Sequence, residues 1–168
     1  MTYRSDYASP LGAITLASDG EGLTGLWFSG QRHYGAGLSP DAIWDEKPFR
    51  AVKRWLDVYF SGAQPDDLPP LCPQGTPFQR AVWRLLLEIP YGETTTYGAL
   101  TRELARQSGS GRVSAQAVGQ AVGRNPIAII IPCHRVLGAN GALTGYAAGV
   151  ERKQWLLALE QTRKQENS

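Results

Sequence analysis

The sequence predicts an α+β fold in two parts, a small α/β unit over residues 1–72 and a mostly helical unit over residues 73–168. Three observations carry that division. Short strand-like runs crowd the N-terminus, helix-period apolar patterns dominate after residue 76, and a stretch with four prolines, residues 64–73, lies between them. At 168 residues, 42% of them hydrophobic, the chain is long enough to bury a real core.

The elements follow in order. Residues 3–8 alternate weakly, and Ser9-Pro10-Leu11-Gly12 reads as a turn. Residues 13–18 and 23–28 read as strands around the loop Asp19-Gly20-Glu21-Gly22. A helix is expected over residues 41–60, since Val52, Trp55, Leu56 and Tyr59 recur at i, i+3, i+4 and i+7. His33, alone in a polar loop, reads as a surface residue. Cys72, in the linker without a nearby base, reads as incidental.

In the second part, Thr76 is placed to cap a helix with Pro77 at its first position. Phe78, Ala81, Val82, Leu85, Leu86 and Ile89 give that helix a buried face, and Pro90-Tyr91-Gly92-Glu93 stops it. Another helix begins at Thr96 with Tyr97, Leu100 and Leu104 inward, followed by a Gly/Ser-rich turn over residues 107–112. Ser114 caps a third, running to about Arg124. Ala117, Val118, Ala121 and Val122 make one of its faces apolar. Gln116, Gly119, Gln120 and Gly123 line the other, which has little packing value. A glycine weakens a helix by about 1 kcal/mol relative to alanine, so two of them suggest a backbone that must approach a large ligand closely. Helix, glycine-rich turn, helix is also the helix-turn-helix layout, and Arg112, Arg124 and Arg135 are placed to meet phosphates. A glycine-rich loop over residues 137–146 suits a wing or a pocket wall. A last helix over residues 150–161 offers Trp155, Leu156 and Leu159 to the core, with Lys153 and Glu160 on one face, and residues 163–168 form a polar tail.

The net charge of +2 conceals an asymmetry. Residues 1–75 carry six Lys/Arg against nine Asp/Glu, a balance of −3; residues 76–168 carry eleven against six, a balance of +5. A basic second half suits a polyanion. No apolar signal region opens the chain and no run has transmembrane length, so a membrane role is not expected. Two cysteines are too few for a disulfide framework, and no Cys/His pair has zinc-site spacing. No metal or cofactor is expected, and the natural compartment is a reducing cytoplasm.

The chemistry concentrates after the apolar run Ile127-Ala128-Ile129-Ile130-Ile131. That run reads as a buried strand ending at Pro132, where the chain must turn. Cys133 and His134 follow at once, a thiol beside a base. A lone cysteine behind an apolar segment is most often a small buried hydrophobe. A thiolate beside an imidazole is also the strongest ordinary nucleophile in proteins.

Pro132-Cys133-His134-Arg135-Val136 resembles the active-site signature of the O6-alkylguanine-DNA alkyltransferase (methylated-DNA–protein-cysteine methyltransferase) family. The resemblance extends through Gly75-Thr76-x-Phe78-Gln79-x-x-Val82-Trp83, Ile89-Pro90-Tyr91-Gly92-Glu93, Tyr97-Gly98, Asn125-Pro126-Ile127, Gly145-Tyr146 and Lys153-x-Trp155-Leu156-Leu157-x-x-Glu160. It is looser before residue 72, where Ser9-Pro10-Leu11-Gly12 matches best. It implies a ribonuclease H-like first domain and a winged helix-turn-helix-like second one. It implies a single-use transfer of a methyl or larger alkyl group from guanine O6, and from thymine O4, in double-stranded DNA to Cys133. His134 would take the thiol proton through a water, oriented by Glu160. Tyr97 would donate to the leaving guanine, and Asn125 would hold the backbone. Val136, Tyr146, Ala147 and Lys153 would meet the substrate. Ala115, Gln116, Gly119 and Gly123, with Arg112, Arg124 and Arg135, would meet DNA. The protein would act as a monomer, cooperative or not on DNA. Two positions depart from the pattern: Gln116 replaces the arginine that commonly fills the flipped-base gap, with Arg112 one turn earlier, and Ala147 stands where some members have serine.

Other readings remain. An alkylated-DNA-binding protein without transferase activity would share the groove but lack the acceptor cysteine, and a plain helix-turn-helix regulator would need no nucleophile. A cysteine hydrolase would use a Cys/His/Glu set, but opposed across a cleft rather than adjacent.

Overall fold

The computed structural model describes residues 1–109 and 111–166, with side chains as far as residue 162. Its N-terminal part is a four-stranded sheet in the order β3-β2-β1-β4. Strands β1 (Tyr3–Ser9), β2 (Gly12–Ser18) and β3 (Leu23–Phe28) form an antiparallel meander, and β4 (Ile43–Trp44) pairs parallel with β1. Helix α1 (Arg50–Phe60) is shorter than the expected span of residues 41–60. Pro48 sits in a short 3-10 turn, Lys47–Phe49, ahead of it; proline is tolerated in a first turn but not inside a helix. Ile43 and Trp44 join the sheet edge instead. Val52, Leu56 and Tyr59 are buried, and Trp55 stacks on Tyr59 at 5.4 Å.

The C-terminal part is built from α2 (Pro77–Leu87), α3 (Tyr97–Ser108), α4 (Ala115–Gly123) and α5 (Val150–Glu166). Short parallel strands β5 (Thr95–Thr96) and β6 (Val136–Leu137) tie the start of α3 to the residues after Cys133. The helix starts are fixed locally. Thr76 and Gln79 form a reciprocal capping box on α2, and Thr96 and Ser114 accept backbone N–H bonds on α3 and α4. Helices α2 and α3 both pack on α4, and the indole N–H of Trp83 donates to the Ala121 carbonyl at 2.9 Å. Ser110, in the turn expected over residues 107–112, lies outside the described residues, as do Asn167 and Ser168 of the expected tail. Residues 163–166 continue α5 rather than forming that tail.

Three expectations are corrected. Residues 127–131 are fully buried, as an apolar run requires, but they are not a strand. Only Ile127 bridges to a strand, at Leu26 of β3. The chain then coils tightly, with Ile131 N–H bonded to the Ile127 carbonyl and Ile129 at φ 70°. A β-branched residue rarely adopts that conformation, which costs on the order of 1–3 kcal/mol and is held by the packing around it. Phe78 is not in the core: it is 37% exposed on the α2 surface. Trp155 is 36% exposed and lies against Phe60 rather than inside.

One apolar cluster runs through both parts, from Ile14 and Phe28 in the sheet to Val82, Val118 and Ile131 beside the helices. The outer edge of β3 is covered at two points, by Leu71 of the linker and by Ile127. Arg152 of α5 clamps the same boundary, its guanidinium reaching the carbonyls of Leu11, Ser29 and Ala148.

Candidate active site and groove

The coil after β3 places the thiol. Asn125, just past α4, bonds it from both sides: its side-chain N–H donates to the Ile131 carbonyl at 2.8 Å, and its side-chain oxygen accepts from Ile127 N–H at 3.0 Å. Pro132 then turns into a single 3-10 turn, Cys133–Arg135, which presents the thiol. Cys133 is 7% exposed. Burial pushes its thiol up to about 11, against a hydrogen bond from Asn125 and the nearby positive charge of Lys153. The resting site therefore holds a protonated thiol rather than a free thiolate.

His134 is fully buried, and its Nε2 lies 2.6 Å from Glu160 Oε2. Burial lowers the imidazole's pKa despite the carboxylate, so the ring is neutral. Burial would also raise the Glu160 carboxyl, but the hydrogen bond from His134 and the bond and charge of Arg135 outweigh it and hold the group near 2. An ionised carboxylate only accepts, so Nε2 carries the ring proton and Nδ1 is left as an acceptor. Nδ1 is buried without a protein partner, free to take a proton.

Glu160 is held by four donors. Besides His134, they are Tyr59 Oη at 2.6 Å, Arg135 Nε at 2.7 Å and Gly92 N–H at 3.2 Å. All but His134 were missed in the sequence, where Gly92 read only as part of a helix stop. Tyr59 comes from the N-terminal helix α1, where it read as one more apolar-face residue. Arg135 was expected on DNA phosphates, and the structure overturns that: it is 8% exposed, bonded to Glu160 and to the Ile89 carbonyl. A buried guanidinium needs such partners, and a carboxylate about three turns into α5 supplies one.

Lys153 is likewise no surface charge. It is fully buried on α5, and its ammonium donates to the carbonyls of Val136 at 2.6 Å and Thr144 at 2.9 Å, tying the loop before Tyr146 to the strand after Cys133. Tyr97 Oη meets the Gly145 carbonyl at 3.4 Å. Burial first, and then the neighbouring Cys133 sulfur, raises the hydroxyls of Tyr97 and Tyr146, so both remain protonated donors. Tyr146 Oη is buried without a hydrogen-bond partner.

Beside this cluster runs an open groove of about 970 Å³. Gln116, Gly119, Gln120 and Gly123 of α4 form its floor, the helix face that lacked a packing role in the sequence. Tyr97, Gly145, Tyr146 and Ala147 also line it, Tyr97 and Tyr146 close to the Cys133 sulfur, so the end of the glycine-rich loop is a pocket wall. Phe78, Arg124, Arg32 and His33 line it as well. Arg112 and Ala115 lie outside the lining. A Cβ at Gly119 or Gly123 would meet nothing within 4 Å, so no packing inside the protein demands glycine there. Among the described residues, no group of three or more His, Cys, Asp or Glu is placed to hold a metal, and no helix is long and apolar enough to cross a membrane.

Fold and site together define a helix-turn-helix protein with a buried Cys/His/Glu cluster beside its groove. Comparison with known proteins makes the family explicit. The profile for the 6-O-methylguanine DNA methyltransferase DNA-binding domain matches residues 77–162, and that for the ribonuclease-like domain of the same proteins matches residues 2–68. The chain is 48% identical over 160 residues to a methylated-DNA–protein-cysteine methyltransferase of Methanosarcina acetivorans, covering 94% of this chain and 97% of that protein. It is 43% identical over 163 residues to the one from Haemophilus influenzae, covering 94% and 86%. Among solved structures, Mycobacterium tuberculosis OGT in complex with DNA aligns at a TM-score of 0.82 with 43% identity, over 96% of this chain and 94% of that one. The chain belongs to the 6-O-methylguanine DNA methyltransferase family.

Proposed function

We propose that this protein repairs DNA by moving a methyl or larger alkyl group from guanine O6, in double-stranded DNA, to the sulfur of Cys133. The observation that carries the reading is the buried Cys133–His134–Glu160 cluster behind Tyr97 and Tyr146, two residues that line the α4 groove and lie close to the Cys133 sulfur. His134 Nδ1 takes the thiol proton, through a bridging water. The sulfur attacks the alkyl carbon, an S–C bond forms, and the C–O6 bond breaks. Its electron pair passes into the guanine, and Tyr97 donates a hydrogen bond that stabilises the developing charge. The guanine anion takes a proton from water as His134 gives the thiol proton back to water, leaving neutral guanine and neutral imidazole. Glu160 stays ionised and holds the imidazole in the proton-accepting tautomer, as the carboxylate of a triad does. Asn125 and Lys153 fix the backbone on either side, and the segment Val136, Tyr146 and Ala147 borders the base.

The target atom is stacked inside a duplex, so the nucleotide must be flipped into the pocket beside Tyr146, with Gln116 filling the gap. The small residues of α4 let its backbone approach the minor groove. Alkyl group, electrons and proton all balance between guanine and Cys133, so the reaction calls for no cofactor. A thioether is not reversed by an active-site base, so each molecule acts once. The division of labour falls at about residue 72, and the protein acts as a monomer. Quantifying restored guanine in a duplex that carries one O6-methylguanine tests this: the yield should rise linearly with protein and plateau at one guanine per molecule. Continued turnover, or none, contradicts it.

A further inference from the structure

The floor of the groove is uncharged. Residues 115–123 of α4 carry no Lys, Arg, Asp or Glu, so the helix presses a neutral surface toward its partner. A duplex is held mainly through neutralised phosphates, so the cations must come from the rim. Arg124, at the C-terminal end of α4, is one. Across the groove the rim belongs to the N-terminal domain, where Arg32 and His33 follow β3 and line the same space. Their segment is docked on the substrate loop, with Arg32 N–H bonded to the Ala147 carbonyl at 2.9 Å. His33 takes φ 59°, a left-handed conformation that turns the chain at the rim. His33 is close enough to Arg124 and Arg32 that their charges, after burial, lower its pKa. Among the described residues no carboxylate pairs with the Arg32 or Arg124 side chain. Two guanidiniums without a carboxylate partner, Arg32 and Arg124, and the His33 imidazole near both line the same groove.

We infer that Arg32 and His33 form a phosphate-binding wall opposite α4, through which the N-terminal domain grips the sugar-phosphate backbone of the duplex beside the flipped nucleotide. The inference rests on the DNA reading above and extends the contact surface beyond the helix-turn-helix. The net −3 of residues 1–75 hides this role, because none of the acidic groups lines the groove while Arg32 does, with the His33 imidazole beside it.

The test measures duplex affinity across a salt series for the whole protein, Arg32→Ala, Arg32→Lys, and Arg32→Ala with His33→Asn, the asparagine being tolerant of a left-handed φ. Transfer from the free base O6-methylguanine is measured alongside. For Arg32→Ala, affinity should fall at least fivefold at low salt, with the slope of log K against log salt shallower by about 0.9, one released counterion. The double variant should fall further, Arg32→Lys should recover most of the slope, and free-base transfer should be unchanged in all. An unchanged slope in Arg32→Ala overturns the inference, as does an equal loss of free-base transfer, which would place Arg32 at the reaction site. If the unsubstituted protein transfers from the free base but does not bind duplex, the DNA reading itself falls, and this inference with it.

Discussion

At the scale of single residues, the site is a thiol kept protonated beside a base kept neutral. Burial keeps the Cys133 thiol protonated, which leaves it little nucleophilic character in the resting site. The relay depends on an ion that four donors hold in place, and one donor comes from a distant helix. Tyr59→Phe removes one of two bonds to Glu160 Oε2. Three donors remain, so the relay is weakened rather than broken. Stability should drop by about 1–2 kcal/mol in denaturant titration. Single-turnover transfer should slow several-fold, well short of the ~100-fold or greater loss for His134→Ala, where the base itself is gone. Cys133, His134 and Arg135 were legible together because they are adjacent. Tyr59 was not, because 101 residues separate it from Glu160 and its inward position reads as ordinary packing. Its hydroxyl, a polar atom on an otherwise apolar and fully buried position of that face, was the available signal.

At the scale of elements, α4 shows how a helix can be shaped for its partner at its own expense. Gly119 has an ordinary helical φ and open space at its Cβ. Gly119→Leu should therefore stabilise the fold by up to about 1 kcal/mol, by helix propensity alone. It should also place a bulky side chain in the groove and sharply reduce transfer from duplex DNA, with transfer from the free base retained. Thermal unfolding and the two transfer assays check the three parts separately. The starts of α2, α3 and α4 were legible because capping is local chemistry at Thr76, Thr96 and Ser114. The coil over residues 127–131 was not. Its apolar composition announces burial, but its shape is set by Leu26 of another element and by the Asn125 side chain. The start of α1 was misplaced because helical periodicity continues back past Pro48, while strand pairing takes Ile43 and Trp44.

At the scale of the molecule, the two parts share one apolar cluster, and the Tyr59–Glu160 bond crosses between them inside it. Acid should expose that coupling. Glu160 is held near 2 against an ordinary value of about 4.3, so its contribution is present above that value and lost as pH falls toward 2. Buried His134 is also held low; the unfolded chain gains its proton below about pH 6.5 and the native state does not, so the loss begins there. Denaturation midpoints should therefore decline from about pH 6.5 downward and steepen below about pH 4.5, by on the order of 3 kcal/mol for Glu160. Glu160→Gln should flatten the acid limb. The sequence made the two-part α+β plan legible; it did not reveal that the N-terminal part reaches Glu160 and the groove rim, since both contacts are tertiary. The central claim is that Cys133 is the alkyl acceptor. Intact-protein mass spectrometry after mixing with a duplex carrying one O6-methylguanine tests it most directly, with peptide mapping of the product. A single added methyl on Cys133, saturating at one per molecule and absent in Cys133→Ser, is the expected result. Duplex binding without a mass gain, or a methyl mapped to Cys72, would contradict it.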